Sequence, residues 1–169
     1  SFADKDLAFR SGNPKPAGTP EDILNMGTTF YSELSPETKK FWAHMREHQM
    51  MDVESKPGKA SGGYCTSLYA IKSPFIFANF NGSSGDVDVV THEFGHALAM
   101  NYVFDHGDPE VAIGSSETAE THSMSMEFFS WKFMDKFFKD VERYHYTHLS
   151  GALTFIPYGV IVDEFQHIV

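Results

Sequence analysis

One cysteine in 169 residues, Cys65, rules out an internal disulfide framework. A lone thiol fits a reducing cytosol, and we read Cys65 as a small residue in a short strand rather than a catalytic nucleophile. Basic residues are scarce as well: 13 Lys and Arg stand against 23 Asp and Glu, a formal charge of −10. Phosphate binding needs a basic footprint, so nucleic acid is excluded as a partner. No apolar run approaches the roughly 20 residues of a membrane span, and no signal peptide, repeat or low-complexity tract is visible. Membrane association is therefore not expected. What remains, 41% hydrophobic residues with 13 Gly, is the composition of a cytoplasmic globular domain with enough chain for one core.

The most informative residues are His92-Glu93-Phe94-Gly95-His96. On a helix, His92 and His96 lie one above the other on a single face, close enough for both imidazoles to reach one metal ion. Glu93, about a quarter turn away, falls beside such an ion, where a carboxylate can take a proton from an activated water. The context is helical. Ser83 and Asp86 supply a helix start, and Val87, Val90, Phe94, Ala97 and Leu98 form one apolar stripe, with Val89, Met100 and Val103 beside the histidines. A helix apolar nearly all round is a buried helix. Its imidazoles and carboxylate then need partners, because an unsatisfied buried polar group costs about 1–3 kcal/mol.

A third ligand is required. The extended zinc motif with Gly three and His six residues after the second histidine is absent, since Ala99 and Tyr102 stand there. That leaves a downstream acid to complete a site of two histidines and one glutamate binding zinc. Asp105, Asp108 and Glu110 lie in or beside a turn, Asp105 to Pro109, whose composition a loop explains. Glu117, Glu120 and Glu127 lie on a second helical stretch, Ser116 to Val141. Spacing puts Glu120, Met124, Glu127 and Trp131 on one face. We favour Glu120 as the ligand, with Glu127 two turns on accepting a hydrogen bond from a ligand imidazole.

The run Ala119-Glu120-Thr121-His122-Ser123-Met124-Ser125-Met126-Glu127-Phe128-Phe129, following His-Glu-Phe-Gly-His, resembles the thimet oligopeptidase and oligoendopeptidase F family of zinc metallopeptidases. Further resemblance lies in Gly62-Gly63-Tyr64-Cys65, in residues 73–81 and in residues 156–166. It runs from about Asn13 onward and is nearest to the oligoendopeptidase F branch. The resemblance implies that Glu120, first of a Glu-x6-Glu pattern, is the third zinc ligand, and that Gly95 is the family's glycine within the motif. Members are several hundred residues long, so residues 1–169 resemble the catalytic core of a longer chain, whose remainder would contribute a wall of the substrate channel.

The resemblance also implies a role for the C-terminal stretch. His148-Leu149-Ser150-Gly151 is similar to the family's His-Leu-x-Gly segment, which assigns oxyanion stabilisation to His148. Tyr158 is a second candidate, although Leu153 and Val160 stand where the thimet branch has tyrosines. His122 points to another face than Glu120, His106 belongs to the turn, His145 reads as structural, and His167 pairs with Asp163 one turn earlier. His44-Met45-Arg46-Glu47-His48 matches the inverted zinc motif, but its spacing reads as an amphipathic helix with polar residues outward.

Elsewhere the chain is punctuated clearly. Residues 1–18 read as a loop-like lead-in. Thr19-Pro20-Glu21-Asp22 starts a helix to about Leu34, and Ser35-Pro36-Glu37 starts another to about Ser55. Residues 56–63 are loop, and Tyr64 to Tyr69 and Pro74 to Phe80 read as two strands. Strand 74–80 leads into the metal helix, a place to hold a substrate backbone. The expected fold is mainly α (α+β): a zincin-like helical catalytic core with a small β-sheet beside the H-E-x-x-H helix. The expected function is a zinc-dependent endopeptidase acting on oligopeptides, with Glu93 as general base. The competing expectation is a zinc-binding fragment that lacks turnover because the rest of the substrate channel is absent.

Overall fold

Local capping chemistry decides where the first two helices begin. The computed structural model describes residues 12–106 and 115–169. Helix α1 spans Pro20–Leu34, with Thr19 as N-cap: its hydroxyl accepts from the Asp22 N–H and the Asp22 carboxylate accepts from the Thr19 N–H. Helix α2, Pro36–Glu47, repeats the device with Ser35 and Thr38. It stops at Glu47 rather than near Ser55. Gln49 takes a left-handed turn (φ 53°), and the next residues form strand β1, Met51–Asp52. Helix preference over residues 48–55 yields to pairing with a distant strand and to burial of Val53.

Strand β2 covers Gly63–Leu68 and β3 covers Ser73–Ala78, joined by a 3₁₀ turn at Tyr69–Ile71 and a left-handed Lys72. The sheet order is β1-β3-β2. β3 pairs parallel with β1 (Met51 opposite Ile76) and antiparallel with β2 (Tyr64 opposite Phe77). β3 is therefore flanked on both sides, and the edge strands are β1 and the longer β2, not strand 74–80.

Helix α3, Gly85–His106, crosses this sheet. Asp86 reaches back to the loop before it, accepting from the Asn81 and Gly82 amides at 3.0 and 2.7 Å instead of from Ser83. Val87, Val90, Phe94 and Ala97 are buried along one stripe. Phe94 packs into an aromatic cluster with Tyr31, Phe41 and Trp42, the Tyr31 centroid 3.9 Å away. The Tyr31 hydroxyl donates to the Val90 carbonyl at 3.0 Å, fastening α1 to α3.

Helix α4 covers Ser116–Ser130 and does not continue to Val141. A 3₁₀ segment, Trp131–Lys136, follows, and α5, Val141–Ile168, starts at Asp140, which accepts from the Arg143 N–H. The tighter winding turns Phe133, Met134, Phe137 and Phe138 into the core, a packing gain that outweighs helix continuity. Tyr144 is buried near the start of α5, whereas Leu153, Phe155, Ile156, Val160, Ile161 and Phe165 are exposed. The fold is mainly helical with a small mixed sheet. No described helix is long and apolar enough to cross a membrane.

Candidate metal centre

His92 and His96 stand one turn apart on α3, their ring centroids 4.9 Å apart and nearly perpendicular. From α4, the Glu120 carboxylate oxygen Oε2 lies 3.2 Å from His92 Nε2 and 3.7 Å from His96 Nε2. The three candidate ligating atoms all fall within 4.8 Å of one another. Ligands about 2.0–2.1 Å from a tetrahedral zinc ion sit about 3.3 Å apart, so the residues fit the ion in spacing and in donor chemistry. Glu120 is half exposed, which leaves one side of the group open to solvent. Among the described residues this is the one group of three or more His, Cys, Asp or Glu side chains whose donor atoms could meet on a single ion.

The other acids considered from sequence do not join it. Asp105 is exposed and accepts from the Asn101 amide, Glu117 is exposed in the first turn of α4, and Asp108 and Glu110 lie outside the described residues. His44 and His48 pack ring to ring, with His48 Nδ1 on the His44 carbonyl, and no third ligand among the described residues meets them. His122 is exposed, and His167 lies 3.8 Å from an equally exposed Asp163.

Glu120 reaches the histidines because α3 and α4 touch main chain to main chain at Gly95. A Cβ there would lie 2.7 Å from Ser123 Cα and 2.8 Å from the His122 carbonyl oxygen. Ser123, fully buried, places its hydroxyl 2.7 Å from Glu120 Oε2. A buried serine beside an acid carries no periodic signal, and sequence reasoning passed over it.

Behind His92 lies a chain of hydrogen bonds. His92 Nδ1 is 2.5 Å from Glu127 Oε1, and His148 Nε2, on α5, is 2.6 Å from Glu127 Oε2. Burial opposes the charge on Glu127, yet the two imidazoles outweigh it and push its pKa down to about 2. Burial likewise opposes protonation of His92, but the Glu127 hydrogen bond and neighbouring carboxylates raise its pKa. His96 has no such partner among the described residues, and burial lowers its pKa. The remaining ring nitrogen of His148 accepts from Trp131 Nε1 at 3.1 Å. Both its nitrogens are thus engaged, and neither is free to meet an oxyanion in this arrangement. Tyr158 is exposed, ten residues and about 15 Å along α5 from His148.

Glu93 is 8% exposed, and burial raises its pKa, a shift tempered by His92 and by the Cys65 N–H. That amide comes from the free edge of β2: Ile76, opposite Cys65, gives its own N–H to Met50 on the other side. The open edge of the sheet therefore borders Glu93. Burial also pushes the Cys65 thiol up to about 12, which keeps it protonated and unreactive.

Asp88, one turn before His92, accepts from the Tyr144 hydroxyl at 2.8 Å. Burial pushes its pKa from 3.8 up to about 6. A raised carboxyl pKa costs the folded state stability as pH rises between those values, because the unfolded chain ionises first. Asp88→Asn should therefore match the parent below about pH 4 and exceed it above about pH 6, by on the order of 1–3 kcal/mol. Urea unfolding in chelator at both pH values checks this.

An apolar groove of about 880 Å³ opens beside His96 between β2, α3 and α4, lined among others by Tyr69, Met100, Tyr102, Met126 and Phe129.

Comparison with known proteins gives consistent matches. The model of Peptidase family M3 matches residues 28–154. Oligopeptidase PepF from Bacillus subtilis (strain 168) is 25% identical over 126 residues, 73% of this chain and 19% of that protein. Among solved structures, PZ peptidase A with inhibitor 2 is 54% identical with a TM-score of 0.88, over 94% of this chain and 28% of that one. A structure described as oligoendopeptidase F from Bacillus anthracis str. Ames is 49% identical with a TM-score of 0.92, over 100% of this chain and 31% of that one. The chain spans about a fifth to a third of the length of these relatives.

Proposed function

Since the chain belongs to Peptidase family M3, we propose that residues 1–169 form the catalytic core of a zinc-dependent endopeptidase that cleaves oligopeptides. The observation that carries the reading is the position of Glu120 Oε2, 3.2 and 3.7 Å from the two histidine nitrogens. His92, His96 and Glu120 would hold the ion. When bound, zinc supplies Lewis-acid chemistry, polarising the scissile carbonyl and making water acidic.

The chain's own residues do the rest. Glu93, its pKa raised by burial, accepts the proton of the attacking water and returns it to the leaving amine. The β2 edge offers main-chain hydrogen bonds to an extended peptide regardless of its sequence. The groove beside His96 takes an apolar side chain of that peptide. A donor to the tetrahedral oxyanion is worth about 2.7–4 kcal/mol. His148, whose Nε2–H is given to Glu127 in this structure, and the exposed Tyr158 are the two candidates for that donor. The exposed apolar outer half of α5 favours a second reading in one respect: a chain that binds zinc but turns over slowly because one wall of the channel lies elsewhere.

Metal analysis after dialysis tests the proposal. One zinc per chain is expected, with stoichiometric loss in Glu120→Ala and His96→Ala and full retention in His44→Ala. Zinc retained at wild-type affinity in Glu120→Ala would remove the proposed site. Turnover of quenched-fluorescence peptides by the zinc-loaded chain separates the two readings.

A further inference from the structure

The geometry points to Trp131 as a positioning residue: its indole N–H fixes the ring tautomer of His148 and, through Glu127, the orientation of His92. An indole nitrogen can only donate. Its 3.1 Å approach to His148 Nδ1 therefore requires a lone pair there, since a proton on that nitrogen would meet the indole N–H head on. His148 must then carry its proton on Nε2, which is the nitrogen 2.6 Å from Glu127 Oε2. Glu127 accepts this N–H on one oxygen and the His92 Nδ1–H on the other, at 2.5 Å. The other ring nitrogen of His92, Nε2, is thereby turned toward Glu120, 3.2 Å from its Oε2, and away from the carboxylate behind it. A chain of hydrogen bonds thus runs from the donor on the 3₁₀ segment through three groups, on α5, α4 and α3.

Trp131 is itself held for this task. Its ring stacks on His145, centroids 4.5 Å apart at 21°, and its carbonyl oxygen accepts from His145 Nε2 at 3.1 Å. His148 is further sandwiched against the Tyr144 ring, 5.5 Å away at 25°. The His148 side chain is only 8% exposed, so water is a poor substitute for the indole donor. Nothing in this arrangement needs Trp131 to touch substrate or ion; it acts on His92 at two removes. Only its consequence for zinc rests on the function proposed above.

Trp131→Phe keeps a ring to stack on His145 and deletes the donor. In the metal-free 169-residue chain, ¹⁵N–¹H correlation spectra of the histidine rings should show His148 as the Nε2–H form alone, and as a mixture of tautomers in Trp131→Phe. In chelator competition the variant should bind zinc about tenfold more weakly. Combined with Glu127→Gln, it should add no further loss, because the path to His92 is already cut. A wild-type His148 protonated on Nδ1, an unchanged tautomer in Trp131→Phe, or equal zinc losses with and without Glu127→Gln would each overturn the inference. A wild-type chain that binds no zinc would instead count against the metal reading, and the tautomer spectra would still decide the role of Trp131.

Discussion

Glu93→Gln is expected to keep a full complement of zinc and to lose about 10²–10⁴-fold of the peptide-cleaving rate, the range that a positioned general base contributes. Three observations set the expectation. Glu93 stands outside the His92, His96 and Glu120 group, so the metal does not depend on it. It is almost fully buried, and Gln has nearly its volume, so the packing of α3 against the sheet is kept. The Gln carbonyl still accepts the Cys65 amide, but it cannot take a proton from water. The loss should fall on kcat, with KM little changed, since the base acts in the transition state. Steady-state kinetics alongside metal analysis measure both halves. A variant retaining activity within a few-fold would take the base role away from Glu93, and one losing zinc would place its carboxylate on the ion.

Gly95→Ala should be nearly as damaging without touching any group that does chemistry. The added methyl would meet Ser123 Cα at 2.7 Å and the His122 carbonyl at 2.8 Å, where ordinary contact begins near 3.4 Å. These are main-chain atoms, so no side chain can swing aside. The two helices must part by several tenths of an ångström, carrying Glu120 and Glu127 away from His92 and His96. Overpacking of this kind costs about 1–3 kcal/mol. A misplacement approaching 1 Å at a reacting centre costs on the order of 10²-fold in rate. We expect zinc affinity to drop at least tenfold and cleavage about 10²-fold, while urea unfolding in chelator shows a smaller change. Wild-type zinc affinity in Gly95→Ala would mean that the helix spacing does not govern the site.

These two residues mark what the sequence could and could not disclose. A helix face is a local property, so the alignment of His92 with His96, and of Glu120 with Glu127 and Trp131, follows from spacing. The caps at Thr19 and Ser35 act over three residues and set their helix starts correctly. Strand β1 is different: two residues paired with a strand far along the chain leave no periodicity, and the preceding helix pattern ran over it. The break after Ser130 was hidden for a related reason. Phe133, Met134, Phe137 and Phe138 are spaced as a helix would space them, and only the core they fill shows the tighter winding. The close approach at Gly95, the Ser123 hydroxyl and the double engagement of His148 each depend on a partner element. The family resemblance suggested an oxyanion role for His148; its contacts with Trp131 and Glu127, 17 and 21 positions away, carry no signal in the spacing.

Helix α5 behaves as a cantilever. It is clamped where Tyr144 and His148 meet the body, while Leu153, Phe155, Ile156, Val160, Ile161 and Phe165 project into water beyond. Pro157 removes a rung of the backbone ladder midway along this overhang. Burying one such side chain yields about 1.5–3 kcal/mol, so sheltering all six rivals the roughly 5–15 kcal/mol that stabilises a whole domain. Left bare at working concentrations, an overhang of this size is expected to promote self-association of the 169-residue chain despite its charge of −10.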